Sequence, residues 1–201
     1  MKYKLAILAA FLMLVTGCTP TYNVASYVPS AENAETIKSY NLQPVSVGTF
    51  QASKNLAVRY TTRRKIPIAA RKCVGNGAVY LYASPSFEDY IEKAFIEELT
   101  RAGIYDASSP LVLTGTLEEI DSSSTTSWDP GRHLKPRRWA FTLTLKNARN
   151  ESFITQSSFS EPWRYGTGGY QCGVLLRIFA PAVQKLIADV IKNPKFREIA
   201  N

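Results

Sequence analysis

A single histidine, His133, and the absence of a Gly-x-Ser-x-Gly elbow leave little material for hydrolytic catalysis in this chain of 201 residues. Zinc-type sites draw on several His and Cys side chains, and one histidine with three cysteines does not furnish such a set. Neither a metal nor any other cofactor is therefore expected. Long apolar runs are also missing. The N-terminal one, residues 5–15, would rise only about 16 Å as a helix, against about 30 Å of bilayer hydrocarbon. It is too short to span, and with Lys2 and Lys4 ahead of it the segment reads as an export signal. Carboxylates for glycan hydrolysis are present in Glu118, Glu119 and Asp121. Adjacent strand residues point to opposite faces, so Glu118 and Glu119 are not expected to cooperate. The chain is thus expected not to be an enzyme, and an envelope glycan hydrolase is the third-ranked reading.

What is present begins at the end of the apolar run, where small residues lead into a cysteine: Val15-Thr16-Gly17-Cys18. This motif resembles the lipobox of bacterial lipoproteins, in which the thiol is lipidated and becomes the new N-terminus after cleavage. The resemblance covers residues 1–18. It implies a diacylglyceryl thioether on Cys18 and usually a third acyl chain, enough for firm anchoring because stable attachment needs more than one chain. Thr19 after the cysteine resembles the pattern sorted to the outer membrane, with a periplasm-facing anchor. The expected organisation is a signal peptide over residues 1–17, a lipidated tether over 18–40 and a single domain over 41–201. The tether reads as a polar coil, with enough Ala and Glu in residues 31–39 for a helical turn or two. As a flexible coil it would average roughly 25 Å end to end.

Export also sets the partners. The net charge is +8, or +6 once Lys2 and Lys4 are removed with the signal. A basic exported chain favours lipid head groups, acidic glycans or acidic protein faces, and no nucleic acid. With Cys18 given to lipid, Cys73 and Cys172 remain, and a pair in an oxidising compartment most simply forms a disulfide. In the chain-entropy model a loop of about 100 residues contributes roughly 4–5 kcal/mol. The alternative is two separate buried thiols.

The domain is expected to be α+β, a mainly antiparallel sheet with two helices packed on one face. Strands are read at residues 45–50, 56–60, 79–82, 111–117 or on to Ile120, 139–145 and 152–159, from alternation of apolar and polar residues. A helix is framed by Ser86 and Asp89 as a capping pair and by Gly103 as its stop. Phe87, Ile91, Ala94, Phe95, Leu99 and Ala102 form its apolar face, with Glu88, Glu92, Glu97 and Glu98 on the wet one. A second helix runs over 175–191, where Pro181 either kinks it or starts its main body, and Asn193-Pro194 ends it.

Two basic segments are the candidate ligand site. Arg63, Arg64 and Lys65 lie in one, and Arg132, Arg137 and Arg138 in the other, with Trp128 and Trp139 flanking. Brought together, such guanidinium groups match phosphates and carboxylates; apart, they are solvated edges that discourage strand aggregation. The loop 160–169 contains Gly166-Thr167-Gly168-Gly169, which lacks the Lys-Ser/Thr ending of a P-loop and reads as a rigid turn. In size, tether and element order the chain looks like small auxiliary lipoproteins of ABC-type transport and outer-membrane assembly systems. That resemblance implies binding of an envelope protein partner. The alternative is direct binding of an anionic glycolipid or peptidoglycan through the arginine-rich segments.

Overall fold

The computed structural model describes residues 24–60, 86–123, 137–161 and 177–201. The elements in order are α1 (Ala31–Lys38), β1 (Ser46–Val47), β2 (Gln51–Tyr60), α2 (Phe87–Ala102), β3 (Val112–Ser123), β4 (Arg137–Asn147), β5 (Ser152–Glu161), α3 (Phe179–Lys192) and α4 (Pro194–Ile199). The architecture is α+β, with a mostly antiparallel sheet covered by helices. The expected strand at 79–82 lies outside the described residues.

β3, β4 and β5 form an antiparallel meander, while β1 and β2 both run parallel to β3 along its other edge. A parallel neighbour requires a crossover, and α2 lies in the connection between β2 and β3. The sequence alternation located the strands without revealing this parallel edge. β4 carries the clearest alternation: Trp139, Phe141, Leu143 and Leu145 are buried, with Ala140, Thr142 and Thr144 half-buried on the other face. One side of the sheet therefore packs on the helices and the other is polar.

α2 forms as its termini direct. The Ser86 hydroxyl accepts from the Asp89 N–H at 3.1 Å, and the Asp89 carboxylate accepts from the Ser86 N–H at 3.2 Å, a reciprocal capping box. Gly103 closes the helix at φ 79°, where a β-carbon would be strained. In α3, Pro181 sits in the first turn, where its missing N–H has no intrahelical acceptor to lose, so it starts the helix body rather than kinking it. After Asn193 the chain makes the short α4, which buries Phe196 and Ile199.

The core joins the two layers through aromatic rings. Trp139 meets Phe87 edge-on at 5.8 Å and Phe179 at 5.0 Å, and stacks on Phe141 at 6.1 Å. At the other end of α2, Phe95 contacts Phe50 at 5.9 Å and Phe196 at 6.4 Å. Phe50 falls in the break between β1 and β2 and lies over Gly115, where a β-carbon would sit 2.5 Å from the ring. Gly115→Ala is expected to cost about 1–3 kcal/mol by overpacking. Equilibrium urea unfolding reads this directly; a change below about 0.5 kcal/mol would show that Phe50 yields freely.

The helical turns expected in residues 31–39 form as α1, but the described part of the segment through Tyr40 is not the free coil expected around them. α1 buries Asn33, Ala34 and Ile37, and Val24, Tyr27 and Tyr40 pack against the core. Residues 24–40 belong to the domain because these scattered apolar side chains reach a groove along α2 and α3, which no local periodicity announces.

Candidate functional site

Two arrangements stand out: a polar sheet face whose edge strand has no further neighbour among the described residues, and a buried carboxylate that clasps the N-terminal strap, residues 24–38.

The polar face is built by β3, β4 and β5. A register shift between Leu117 and Glu119 inserts Glu118 as an extra residue opposite β4. The insertion overturns the expectation that Glu118 and Glu119 face apart. Thr144, on the outer face, donates from its hydroxyl to Glu118 Oε1 at 3.2 Å, while Glu119 pairs with Thr142 on that same face. Beyond them a concavity of about 470 Å³ is lined by Glu119, Asp121, Arg138, Thr142, Gln156 and Ser158 among others. Glu119 and Asp121 are both engaged with other groups. The surface offers hydroxyl, amide and carboxylate groups beside one guanidinium, a set suited to hydrogen bonding a polar, extended ligand. No group of three or more His, Cys, Asp or Glu is placed to hold a metal among the described residues.

β5 borders this face as an edge strand. Its register with β4 runs unbroken from Arg137↔Glu161 to Lys146↔Ser152. Among the described residues no strand pairs with its other side. The strand contains no lysine, arginine or proline, and Glu161 is its only charge. Edges are ordinarily blunted by such residues or by bulges. Ile154, 62% exposed, adds an apolar side chain to the outer face. Inside, the Ser157 hydroxyl donates to Asp189 of α3 at 2.6 Å, which fixes the strand to the helix layer.

Of the residues read from sequence, Cys18, Arg63, Arg64, Lys65, Cys73, Arg132, His133 and Cys172 lie outside the described residues. Arg137 begins β4, with its backbone opposite Glu161. Arg138 is exposed at the rim of the concavity, opposite Ser160 and Ser123. Trp139 is fully buried and so is not available to stack on a sugar.

Glu98 was expected on the wet face of α2, yet it is wholly buried. Its Oε1 accepts from the Tyr27 hydroxyl at 2.5 Å, the Ser30 N–H at 2.9 Å and the Asn33 amide at 3.1 Å. Its Oε2 is buried without a hydrogen-bond partner. Burial, reinforced by the hydrogen bond to Glu98, pushes the Tyr27 phenol well above its usual value. The signal was present: Ile91, Ala94, Glu98 and Ala102 recur at three, four and four, which places Glu98 on the apolar stripe.

No family model matches the chain, and no curated protein matches it. Its fold is similar to the crystal structure of a Xanthomonas campestris protein of the family DUF330, with 12% identity and a TM-score of 0.46 over 90% of each chain. A likeness at that level assigns no function.

Proposed function

We propose that the chain is a lipid-anchored accessory protein of the bacterial envelope, held on the periplasm-facing side of the outer membrane through Cys18. Its domain binds a protein partner of a transport or assembly system, by holding rather than by chemistry. The observation that carries this reading is the β5 edge: ten residues in unbroken register, without the residues that blunt an edge. Such an edge accepts an added strand, with main-chain hydrogen bonds supplying affinity and alternate side chains supplying selectivity. The pairing of Cys73 with Cys172 belongs to the same reading. Their connections start from Tyr60 and Glu161, which stand at one end of the sheet.

The test is a photo-crosslinking residue placed at Ile154 or Gln156 in cells, with exposed Glu97 on α2 as control. An adduct at β5 alone, mapped to a strand of an envelope protein, is the expected result. Cys18→Ala is expected to move the chain from the membrane fraction and to abolish that adduct. Equal labelling at Glu97, or none at β5, would overturn the reading.

Arg138 at the rim of the polar concavity favours a second reading, direct binding of an anionic glycolipid or peptidoglycan with Arg63, Arg64, Lys65, Arg132, Arg137 and Arg138 as its cationic groups. Unchanged glycolipid binding in an Arg137→Ala, Arg138→Ala double variant would remove it.

A further inference from the structure

We propose that Thr155 sets the selectivity of the β5 edge: its buried hydroxyl selects an added strand that carries a hydroxyl or carboxamide side chain on the rung beside it. The inference rests on the reading of β5 as a strand-accepting edge and names what that edge accepts.

The observation is an unused polar atom in a buried place. Three side-chain oxygens are buried without a hydrogen-bond partner among the described residues. Glu88 Oε2 and Glu98 Oε2 lie on α2, and the third, Thr155 Oγ1, lies on the edge strand. Thr155 is 5% exposed. Its neighbour across the β4–β5 ladder is the buried Leu143, whose side chain has nothing to donate or accept. A buried hydroxyl left unpaired costs free energy, and the great majority of such groups in folded proteins find a partner. The next inward position shows the ordinary solution. The Ser157 hydroxyl donates to Asp189 Oδ2 at 2.6 Å, and Lys185 Nζ donates to the same oxygen at 2.6 Å. No described group does the same for Thr155. Valine would fill the position with the same shape and a good preference for strand, and would strand no polar atom.

An added strand supplies the missing partner by geometry. Side chains alternate along a strand, so Thr155 and the residue directly opposite it on a strand paired with β5 share the inner face. Their β-carbons then lie about 4.5–5.5 Å apart, the spacing at which Thr–Thr and Thr–Ser pairs hydrogen-bond across a sheet. Asn and Gln also offer both a donor and an acceptor there. An apolar residue at that rung leaves the Thr155 hydroxyl stranded in a site now closed to water, and a charged one is buried at a larger desolvation cost. Sites built to hydrogen-bond a group discriminate strongly against ligands that lack it, for this reason.

Charge points the same way. From Ser152 to Ser160 the strand carries no charged side chain. Asp189 beside it is already paired with Lys185, and Glu161 at its end with Arg177. The incoming strand is therefore neutral along these rungs. Exposed Ile154 favours an apolar residue opposite it on the outer face. The edge thus reads two adjacent residues of its partner, one apolar and facing outward, one hydroxyl or carboxamide and facing inward.

The full chain in cells, with a photo-crosslinking residue at exposed Gln156, tests this selectivity. Thr155→Val is expected to lower the yield of the mapped β5 adduct about tenfold, the effect of stranding or losing one buried hydrogen bond. Thr155→Ser, which keeps the hydroxyl, is expected to retain most of it. Urea unfolding of the purified Thr155→Val protein is expected to show an unchanged or raised midpoint, because no native hydrogen bond is lost. A lowered midpoint would show that the hydroxyl serves the fold and overturns the proposal, as does an adduct yield that Thr155→Val leaves unchanged. Peptide mapping of the adduct identifies the residue opposite Thr155, and an apolar or charged residue there also overturns it. Absence of any β5 adduct in the chain that keeps Thr155 removes the edge reading and this one with it, whereas an adduct indifferent to Thr155→Val removes only the selectivity.

Discussion

Trp139→Ala is expected to lower the unfolding free energy by about 3–5 kcal/mol, the usual cost of deleting a large buried aromatic side chain. Domains of ordinary stability have only about 5–15 kcal/mol in total, so the variant should sit close to its unfolding transition. The size of the effect follows from position. Trp139 is 1% exposed and joins β4 to both principal helices, through Phe87 of α2 and Phe179 of α3. Aromatic pairs of this geometry contribute about 0.5–1.5 kcal/mol beyond area burial, and here three rings lose their partner together. Urea unfolding followed by far-ultraviolet circular dichroism measures it, with an unchanged slope and a lowered midpoint. Trp139→Phe, which keeps most of the ring contacts, is expected to recover more than half of the loss. A loss below about 1 kcal/mol for the alanine variant would show that the two layers are held elsewhere.

Glu98→Ala is expected to release the strap while leaving the domain folded. Two effects compete. Removing a buried carboxyl group that forms no ion pair among the described residues relieves a desolvation cost. Against this, the Tyr27 hydroxyl, the Ser30 N–H and the Asn33 amide all lose their acceptor at once. Hydrogen bonds to a charged group contribute about 1.5–3 kcal/mol each, and a stranded buried donor costs about 1–3 kcal/mol. Three donors outweigh one relieved charge, and a net loss of about 2–4 kcal/mol in strap docking is expected. Hydrogen exchange in residues 24–38 should accelerate roughly 30- to 1000-fold, while Leu143 and Leu145 in β4 remain protected. Uniform acceleration through β4 would show that Glu98 supports the whole fold rather than the strap. The raised Tyr27 phenol adds a pH dependence with a definite sign. Its contribution is fully present below about pH 10, the unfolded value, and declines as pH rises beyond it because ionisation is penalised only in the folded state.

Particular elements show how far local pattern reaches. The α2 boundaries were legible because a capping box and a C-terminal glycine are local chemistry, satisfied by neighbours in the chain. The alternation of β4 was legible for the same reason, since pleating alone sends Trp139, Phe141, Leu143 and Leu145 to one side. Glu98 was half-legible. Its spacing placed it on the apolar stripe, but its charge argued for water, and only the three donors from residues 27–33 reconcile the two. The facing of Glu118 and Glu119 was misread because a bulge breaks the two-residue period, and nothing in Leu117-Glu118-Glu119 marks where the extra residue falls. The parallel placement of β2 beside β3, with four residues between Ala52 and Ala57 that find no simple register, is a matter of long-range pairing.

By itself the sequence determined the α+β class and the buried faces of α2 and β4. These depend on capping and periodicity, both local properties. Only the tertiary structure decided that residues 24–40 belong to the domain, that Glu98 holds them, and that β5 lies at the sheet edge with no further strand beside it among the described residues. Each of those is a contact between residues dozens of positions apart. Hydrogen-bond geometry and burial select such contacts only once the two layers have closed on each other.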